Sequence, residues 1–311
     1  MLQQTRVETV IPYYERFLAR FPTPLALAEA PEDDVLAAWS GLGYYRRARL
    51  LHAGAKEVAR RSDMPTDRAG LLALPGIGRY TAGAIASIAF GEEVGLVDGN
   101  VARVFARLFA IEDGAERKGA RRLEVLADAL VDAGRPGDFN QALMELGATT
   151  CTPRAPACDR CPVATTCKAR AEGRVHELPR TAPAPAKATE RVQAIVAGRV
   201  GRILIARRRS GGLFGGLWEP PSIVGGARAR GELARGLPLA SIEPRGRVIH
   251  VLTHRRLTVD VHAAVLLADP DAAALPAVYE TARLVDPARL EAEGIGIATL
   301  TRKILATAAR A

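Results

Sequence analysis

From Val7 onward the chain places apolar side chains at three- and four-residue steps: Val7, Val10, Ile11, Tyr14, Phe17, Leu18 and Phe21. That period predicts one apolar stripe along a helix, ended by Pro22 and Pro24. The same step returns at Val35, Leu36 and Trp39; at Leu50, Leu51, Ala55 and Val58; at Ala84, Ile85 and Ile88; and at Val101, Val104, Phe105 and Leu108. Leu123, Leu126 and Leu130 continue it, followed by Leu143 and Leu146. Residues 1–150 therefore read as an all-helical domain with short turns. Residues 180–190 carry no large apolar side chain and include Pro183 and Pro185, which predicts an extended linker. Beyond it the apolar period falls to two. Val192–Val200, Gly201 and Arg202–Arg207 predict a β-hairpin; Val248–Leu252 and Leu257–Leu267 predict longer strands. Ala298–Ala309 closes as a helix, so residues 191–311 read as a second, α+β domain. There is no internal repeat.

Composition narrows the class. The 311 residues suit about two domains, and 48 % apolar with 25 % charged residues excludes wholesale disorder. No apolar run approaches the ~18 residues of a membrane span, and no basic start leads into an apolar stretch as in a secretory signal. A cytoplasmic location is expected. Lys and Arg outnumber Asp and Glu by 43 to 34, a net charge of +9. That excess points to a polyanionic partner, although solubility alone would also account for it. The helical pattern begins almost at Met1, whereas most domains begin more loosely.

Cys151, Cys158, Cys161 and Cys167 fall within 17 residues, spaced C-x6-C-x2-C-x5-C. A cytoplasmic chain disfavours disulfides. Four thiolates suit zinc or an iron–sulfur cluster, and spacing alone does not separate the two. Arg154, Arg160, Lys168 and Arg170 surround them, where cations would offset a negative cluster or meet phosphate.

Leu74-Pro75-Gly76-Ile77-Gly78-Arg79-Tyr80-Thr81 joins two helices, with Thr81 expected to open the second. Gly76 and Gly78 permit a tight turn whose outward N–H groups can hold a phosphate; a plain helix–helix turn is the simpler reading. Asp98, in Val97-Asp98-Gly99-Asn100-Val101-Ala102-Arg103-Val104, precedes a helix, so it reads first as an N-cap worth about 1 kcal/mol. Its place 20 residues after Gly78 and upstream of the cysteines favours a further, chemical role.

In this order, the hairpin, the V-D-G-N-V-x-R-V segment and the cysteine cluster resemble the endonuclease III, or helix-hairpin-helix, superfamily of DNA glycosylases. Met1-Leu2-Gln3-Gln4-Thr5-Arg6-Val7 and Gly41-Leu42-Gly43-Tyr44-Tyr45-Arg46-Arg47 narrow the resemblance to MutY-type adenine DNA glycosylases. These remove adenine mispaired with 8-oxoguanine or guanine, and the resemblance covers nearly the whole chain. It implies a helix-hairpin-helix domain (1–150), an iron–sulfur loop (151–179), the linker (180–190) and a Nudix-like 8-oxoguanine recognition domain (191–311). The four cysteines would hold a [4Fe–4S] cluster. Leu204–Arg209 and Gly211–Pro221 are similar to the Nudix-like domain, but the acidic metal-binding helix of Nudix hydrolases is missing, which argues against a nucleotide-pyrophosphate hydrolase. A thymine or uracil glycosylase of the superfamily would not normally carry this second domain.

The resemblance also implies the site. Duplex DNA containing A:8-oxoguanine or A:G is the expected partner, the adenine is flipped out of the stack, and a monomer is expected. Gln4 and Tyr44 would wedge into the vacated stack (for Tyr44 a core aromatic is the plainer reading), and Thr5 would also bind the DNA. Arg46, Arg47 and Arg49 would sit on phosphates, and Gly76, Gly78 and Thr81 of the hairpin would also bind the DNA. Asp98, with Tyr80 and Asn100, would stabilise the oxocarbenium-like sugar. Where endonuclease III has a Schiff-base lysine, Tyr80 stands here, so a monofunctional enzyme leaving an abasic site is expected. Thr253 and His254 match the lesion-reading loop, in which Leu252 replaces an aromatic; a surface histidine is the plainer reading of His254. The family's general-acid glutamate would fall two residues before Met1. This chain is also expected to leave an apolar seam exposed. Two explanations follow: the natural chain starts further upstream and is active, or this protein binds lesions without turnover.

Overall fold

The computed structural model describes residues 1–61, 63–112, 117–180, 186–271, 274–290 and 292–309. It divides into two compact units, Met1–Lys56 with Pro185–Ala311, and Glu57–Ala184. No helix among the described residues is long and apolar enough to cross a membrane.

In the first unit, α1 (Val7–Arg20), α2 (Pro24–Glu29), α3 (Glu32–Ala38) and the start of α4 (Arg46–Arg61) follow the predicted helical stripes. Thr23 caps α2, accepting the Ala26 N–H at 3.1 Å, with Pro24 at the first helical position. The strands are β1 (Ala188–Arg199), β2 (Arg202–Arg208), β3 (Trp218–Glu219), β4 (Ser222–Val224), β5 (Leu239–Val251), β6 (Arg255–Leu266) and β7 (Tyr279–Val285). They form one seven-stranded sheet with the path β3-β2-β1-β6-β5; β4 also pairs β1, and β7 pairs β2. The predicted hairpin is β1–β2, and its turn residues Val200 and Gly201 both have positive φ, as a two-residue hairpin turn requires. β1 runs parallel to β6, and β5 antiparallel to it.

Val192, Ala194 and Val196 of β1 and Val259 and Val261 of β6 point to one face, where they join Phe17, Val35, Leu36, Trp39, Leu42 and Ala48, and Leu300 and Ile304 of α12 (Thr299–Ala308), in one core. The opposite face is covered by α11 (Ala227–Arg235) through Leu233 over Ile195, Ala264 and Leu266. Within this unit, polar ties reinforce the apolar contact. Ser40 Oγ and Tyr45 Oη donate to the Ile297 carbonyl at 2.8 and 2.9 Å, and Arg207 bridges Asp33 and Glu280.

The expected apolar seam is present on α1, and the linker bounds need correction. Of the α1 stripe, only Val10 and Phe17 are buried, with Phe21 just beyond the helix; Val7, Ile11, Tyr14 and Leu18 stay exposed. The stripe is wider than the edge that meets Trp39 and its neighbours, and no described element covers the remainder. Within the linker, Ala188–Glu190 already belong to β1, held by pairing with Arg255–Leu257, while residues 181–185 lie outside the described residues.

The second unit is helical: the end of α4, then α5 (Arg68–Leu72), α6 (Arg79–Phe90), α7 (Gly99–Leu108), α8 (Arg117–Leu130), α9 (Pro136–Glu145) and α10 (Lys168–Ala171). α9 runs on into a five-residue π turn, Leu146–Thr150, that delivers Cys151. Leu96, Val101, Val104, Phe105, Leu123 and Ala127 form its main core. Gly95 and Gly83 are needed for close approach: a Cβ on Gly95 would stand 2.3 Å from the Ala127 backbone, and one on Gly83 2.8 Å from the Gly95 carbonyl.

Candidate functional site

Within the second unit, α5 and α6 make the expected hairpin. Gly76 has φ +82°, a region strained for any side chain. Gly78 caps α6 without a side-chain bond, and a Cβ there would meet nothing within 4 Å, so the first N–H groups of α6 open outward. The helix begins at Arg79, not at Thr81, because the extended backbone of Gly78 already ends the turn; Thr81 is its third residue.

Asp98 is both the cap of α7 and the candidate carboxylate of the site. Its Oδ1 accepts the Val101 N–H at 2.7 Å, and its Oδ2 accepts Asn100 Nδ2 at 3.2 Å. Asn100 Oδ1 in turn accepts from Arg103 Nη2 at 2.9 Å. Arg103 also donates to the carbonyls of Gly147 at 2.7 Å and Cys151 at 2.8 Å. A continuous relay of hydrogen bonds therefore ties the Asp98 carboxylate to the backbone where the cysteine loop begins. The Tyr80 hydroxyl reaches Met144 Sδ at 3.7 Å; burial, and then the negative charge of Asp98, raise its pKa. The phenol thus stays protonated and lies within the field of the carboxylate.

All four cysteines are free and line one cavity with Arg107 and Arg170. Arg107, 2 % exposed, places Nη1 3.2 Å from Cys151 Sγ and donates to the carbonyls of Thr152 and Leu178 at 2.8 and 2.9 Å. Burial, and then the charges of the other three thiols, raise the Cys158 thiol. Among the described residues no three His, Cys, Asp or Glu side chains converge as they would on a single metal ion.

The first unit assembles a second group. Arg47 Nη1 donates to the Met1 carbonyl at 2.7 Å and to that of Gln3, and Nη2 to Thr5 Oγ1 at 3.1 Å and the Gly43 carbonyl at 3.4 Å. Its guanidinium lies 5.3 Å from the Tyr44 ring centroid. Arg47 therefore clamps residues 1–5 onto the Gly43–Tyr44 turn instead of presenting its donors to a phosphate, whereas Arg46 is exposed. Gln4 and Tyr44 have φ of +59° and +48°, and both side chains are exposed. Holding non-glycine residues there costs on the order of 1–3 kcal/mol each, a strain met most often at functional sites. The Tyr44 hydroxyl lies 3.1 Å from Thr253 Oγ1, bringing the expected wedge to the expected lesion reader, with exposed His254 beside it. Leu252, at the position where an aromatic was expected, is half-buried against the core.

Several residues were missed from sequence. Arg103 and Arg107 lie one and two helical turns after Gly99, and that i, i+4, i+8 spacing was the available signal. Lys187, which donates to the Leu252 carbonyl at 3.0 Å, gave none. Arg49, expected on a phosphate, donates instead to the Gly215 carbonyl.

Residues 1–128 match the family model described as HhH-GPD superfamily base excision DNA repair protein, and residues 191–307 the NUDIX domain model. The chain is 39 % identical over 323 residues to an adenine DNA glycosylase of Rattus norvegicus, covering 86 % of this chain and 63 % of that one. It is 36 % identical over 331 residues to an adenine DNA glycosylase of Schizosaccharomyces pombe, covering 87 % and 71 %. It spans only 60 % and 51 % of the corresponding proteins of Homo sapiens and Arabidopsis thaliana. Among solved structures, a thermostable thymine-DNA glycosylase superposes with TM-score 0.51 at 29 % identity, over 55 % of this chain and 80 % of that one.

Proposed function

The chain belongs to the adenine DNA glycosylase family, and we propose that it removes adenine mispaired with 8-oxoguanine or guanine from duplex DNA, leaving an abasic site. The observation that carries this reading is the Asp98 carboxylate, capping α7 and aligned by Asn100 and Arg103, in a chain related to adenine glycosylases along most of its length.

An adenine must leave the stack, at a cost of a few kcal/mol, before its glycosidic bond is reached. Asp98 has both oxygens anchored by single hydrogen bonds, which leaves lone pairs to face the positive charge developing on the sugar. Tyr80, a phenol, forms no Schiff base, which supports simple N-glycosidic hydrolysis without strand cleavage. The exposed N–H groups at Gly78–Tyr80 and the Arg46 side chain are suited to backbone phosphates, which position the duplex without reading it. Tyr44 and Gln4, fixed by the Arg47 clamp, fit the space that the adenine vacates, and Thr253 with His254 fits the opposing 8-oxoguanine.

Four thiols line one cavity with two arginines, a donor set that suits a thiolate-bound metal group. We assign Cys151, Cys158, Cys161 and Cys167 to a [4Fe–4S] cluster, which when bound supplies an iron–sulfide core bonded to all four thiolates. The buried Arg107 offsets negative charge there.

The test uses a duplex with one A:8-oxoguanine pair. The expected result is an alkali-labile site at the adenine, with Asp98→Asn slowing excision by about 10²–10³-fold while duplex affinity is retained. Intact adenine alongside tight, lesion-selective binding would replace this reading with that of a lesion-binding module, and absence of both would refute it.

A further inference from the structure

The α11 face of the sheet carries a polar cluster that glycosylase chemistry does not use. Asp260 of β6 lies opposite Gln193 of β1 and Arg247 of β5. Its Oδ2 accepts Arg191 Nε at 2.7 Å and Gln193 Nε2 at 2.9 Å, and its Oδ1 accepts Arg247 Nε at 2.8 Å. Asp260 is 13 % exposed, whereas the two arginine side chains are 57 % and 56 % exposed. Each guanidinium is thus tied from behind through Nε. Its terminal nitrogens have no partner among the described residues and remain as a fork of paired donors. Pinning in advance lowers the conformational entropy that an anion would otherwise have to overcome on binding. One carboxylate neutralises only one of the two guanidiniums.

α11 begins at the same place. The Gly225 N–H donates to the Arg191 carbonyl at 2.8 Å, and Gln193 Nε2 reaches the Gly225 carbonyl at 3.3 Å. Gly226 caps this nine-residue helix without a side-chain bond, and a Cβ on it would meet nothing within 4 Å. The open N–H groups of the first turn favour negative charge. His262, 5 % exposed and on the strand face covered by α11, holds Nε2 at 3.1 Å from Gln193 Oε1, while its buried Nδ1 has no partner. A buried polar atom left orphaned marks a place where a further group is expected. Arg230, in α11, adds a positive charge that the imidazole feels.

We propose that Arg191, Arg247 and the amino end of α11 form a binding site for a phosphate group. Paired guanidinium donors match a tetrahedral oxyanion, and a helix amino end supplies the third direction. Glu232 is the sole acidic residue of α11, and both oxygens of Asp260 are already taken by Arg191, Gln193 and Arg247, so the site is suited to binding without metal-assisted hydrolysis. The phosphate belongs either to a free phosphate ester or to a nucleic-acid backbone. This inference stands apart from adenine excision, which is assayed separately.

The test titrates inorganic pyrophosphate onto the full chain by calorimetry. Saturable binding is expected, weakened at least tenfold in R191Q/R247Q. R191K/R247K, which keeps the charges and loses the planar forks, should also bind more weakly. R202Q/R289Q, which removes the same net charge elsewhere on the surface, should bind like the unsubstituted chain. R191Q/R247Q should unfold cooperatively at a lower Tm, because Asp260 loses both arginines, and an unchanged far-UV circular dichroism spectrum checks that the fold is intact. In a second arm, the salt dependence of unmodified duplex binding is measured. If the phosphate comes from the backbone, the slope of log K against log salt falls by about 1–2 in R191Q/R247Q. If the ligand is a free phosphate ester, the slope is unchanged while pyrophosphate binding is lost. Equal pyrophosphate binding by R191Q/R247Q and the unsubstituted chain, or no saturable binding up to millimolar pyrophosphate, overturns the proposal.

Discussion

Replacing Arg103 by methionine keeps most of the side chain's apolar stem and deletes the guanidinium that joins Asn100 to Gly147 and Cys151. Three hydrogen bonds of 2.7–2.9 Å are lost, two of them to backbone carbonyls where the cysteine loop leaves α9. A hydrogen bond from a charged donor contributes about 1.5–3 kcal/mol net. Because Arg103 is only half-buried, water partly replaces it, and the total loss should be about 2–4 kcal/mol, or roughly 5–15 °C in Tm. The cap bond from Val101 N–H to Asp98 remains, so α7 should persist. Asn100 loses the donor that orients its amide, and Asp98 Oδ2 then loses a fixed partner. A carboxylate misplaced by even a fraction of an ångström should slow excision by about 10–100-fold. The checks are chemical denaturation and single-turnover adenine excision at saturating protein. Full excision with reduced stability would show that Asn100 aligns Asp98 unaided. Unchanged stability would refute the relay itself.

Other consequences can be measured. Gly147→Ala would place a Cβ 2.6 Å from that of Asn100, so it should lower stability by about 1–3 kcal/mol and slow excision together, read by urea unfolding and the same assay. Tyr44→Phe and Thr253→Val each remove one side of a 3.1 Å contact; a double-mutant cycle on unfolding should give a coupling of about 0.5–1.5 kcal/mol, and strict additivity would dismiss the contact. At Asp260 burial acts to raise the pKa, but the hydrogen bonds from Arg247, Gln193 and Arg191 outweigh it and hold it at about 2. Its folded pKa lies below the unfolded value, so its contribution is complete above the ordinary aspartate range and fades as pH falls toward 2; Asp260→Asn should flatten the acid limb of stability against pH.

Much of the fold is visible in local pattern. The α1, α4 and α7 stripes, the Val200-Gly201 turn and the final helix all follow from periods and turn residues that act over a few positions. The Asp98 cap was likewise legible, because a cap is a short-range device. Arg47 was legible as a cation but not as a clamp, since its acceptors are main-chain carbonyls, and every residue type carries one. The α1 stripe announced an apolar surface without saying how much of it a neighbour would cover.

The sequence by itself determined which segments are helix or strand, which side of each is apolar, and which residues carry candidate chemistry. It did so because backbone propensity and side-chain period are properties of neighbouring residues. Only the tertiary structure decided what each face meets. It placed α1–α3 and the start of α4 on the sheet of residues 188–285 within one compact unit, set Tyr44 against Thr253, and gathered Arg191, Gln193, Arg247 and Asp260 from three strands. Apolar burial is non-directional, so a hydrophobic stripe does not name its partner. The polar contacts that do are formed between residues far apart in the chain.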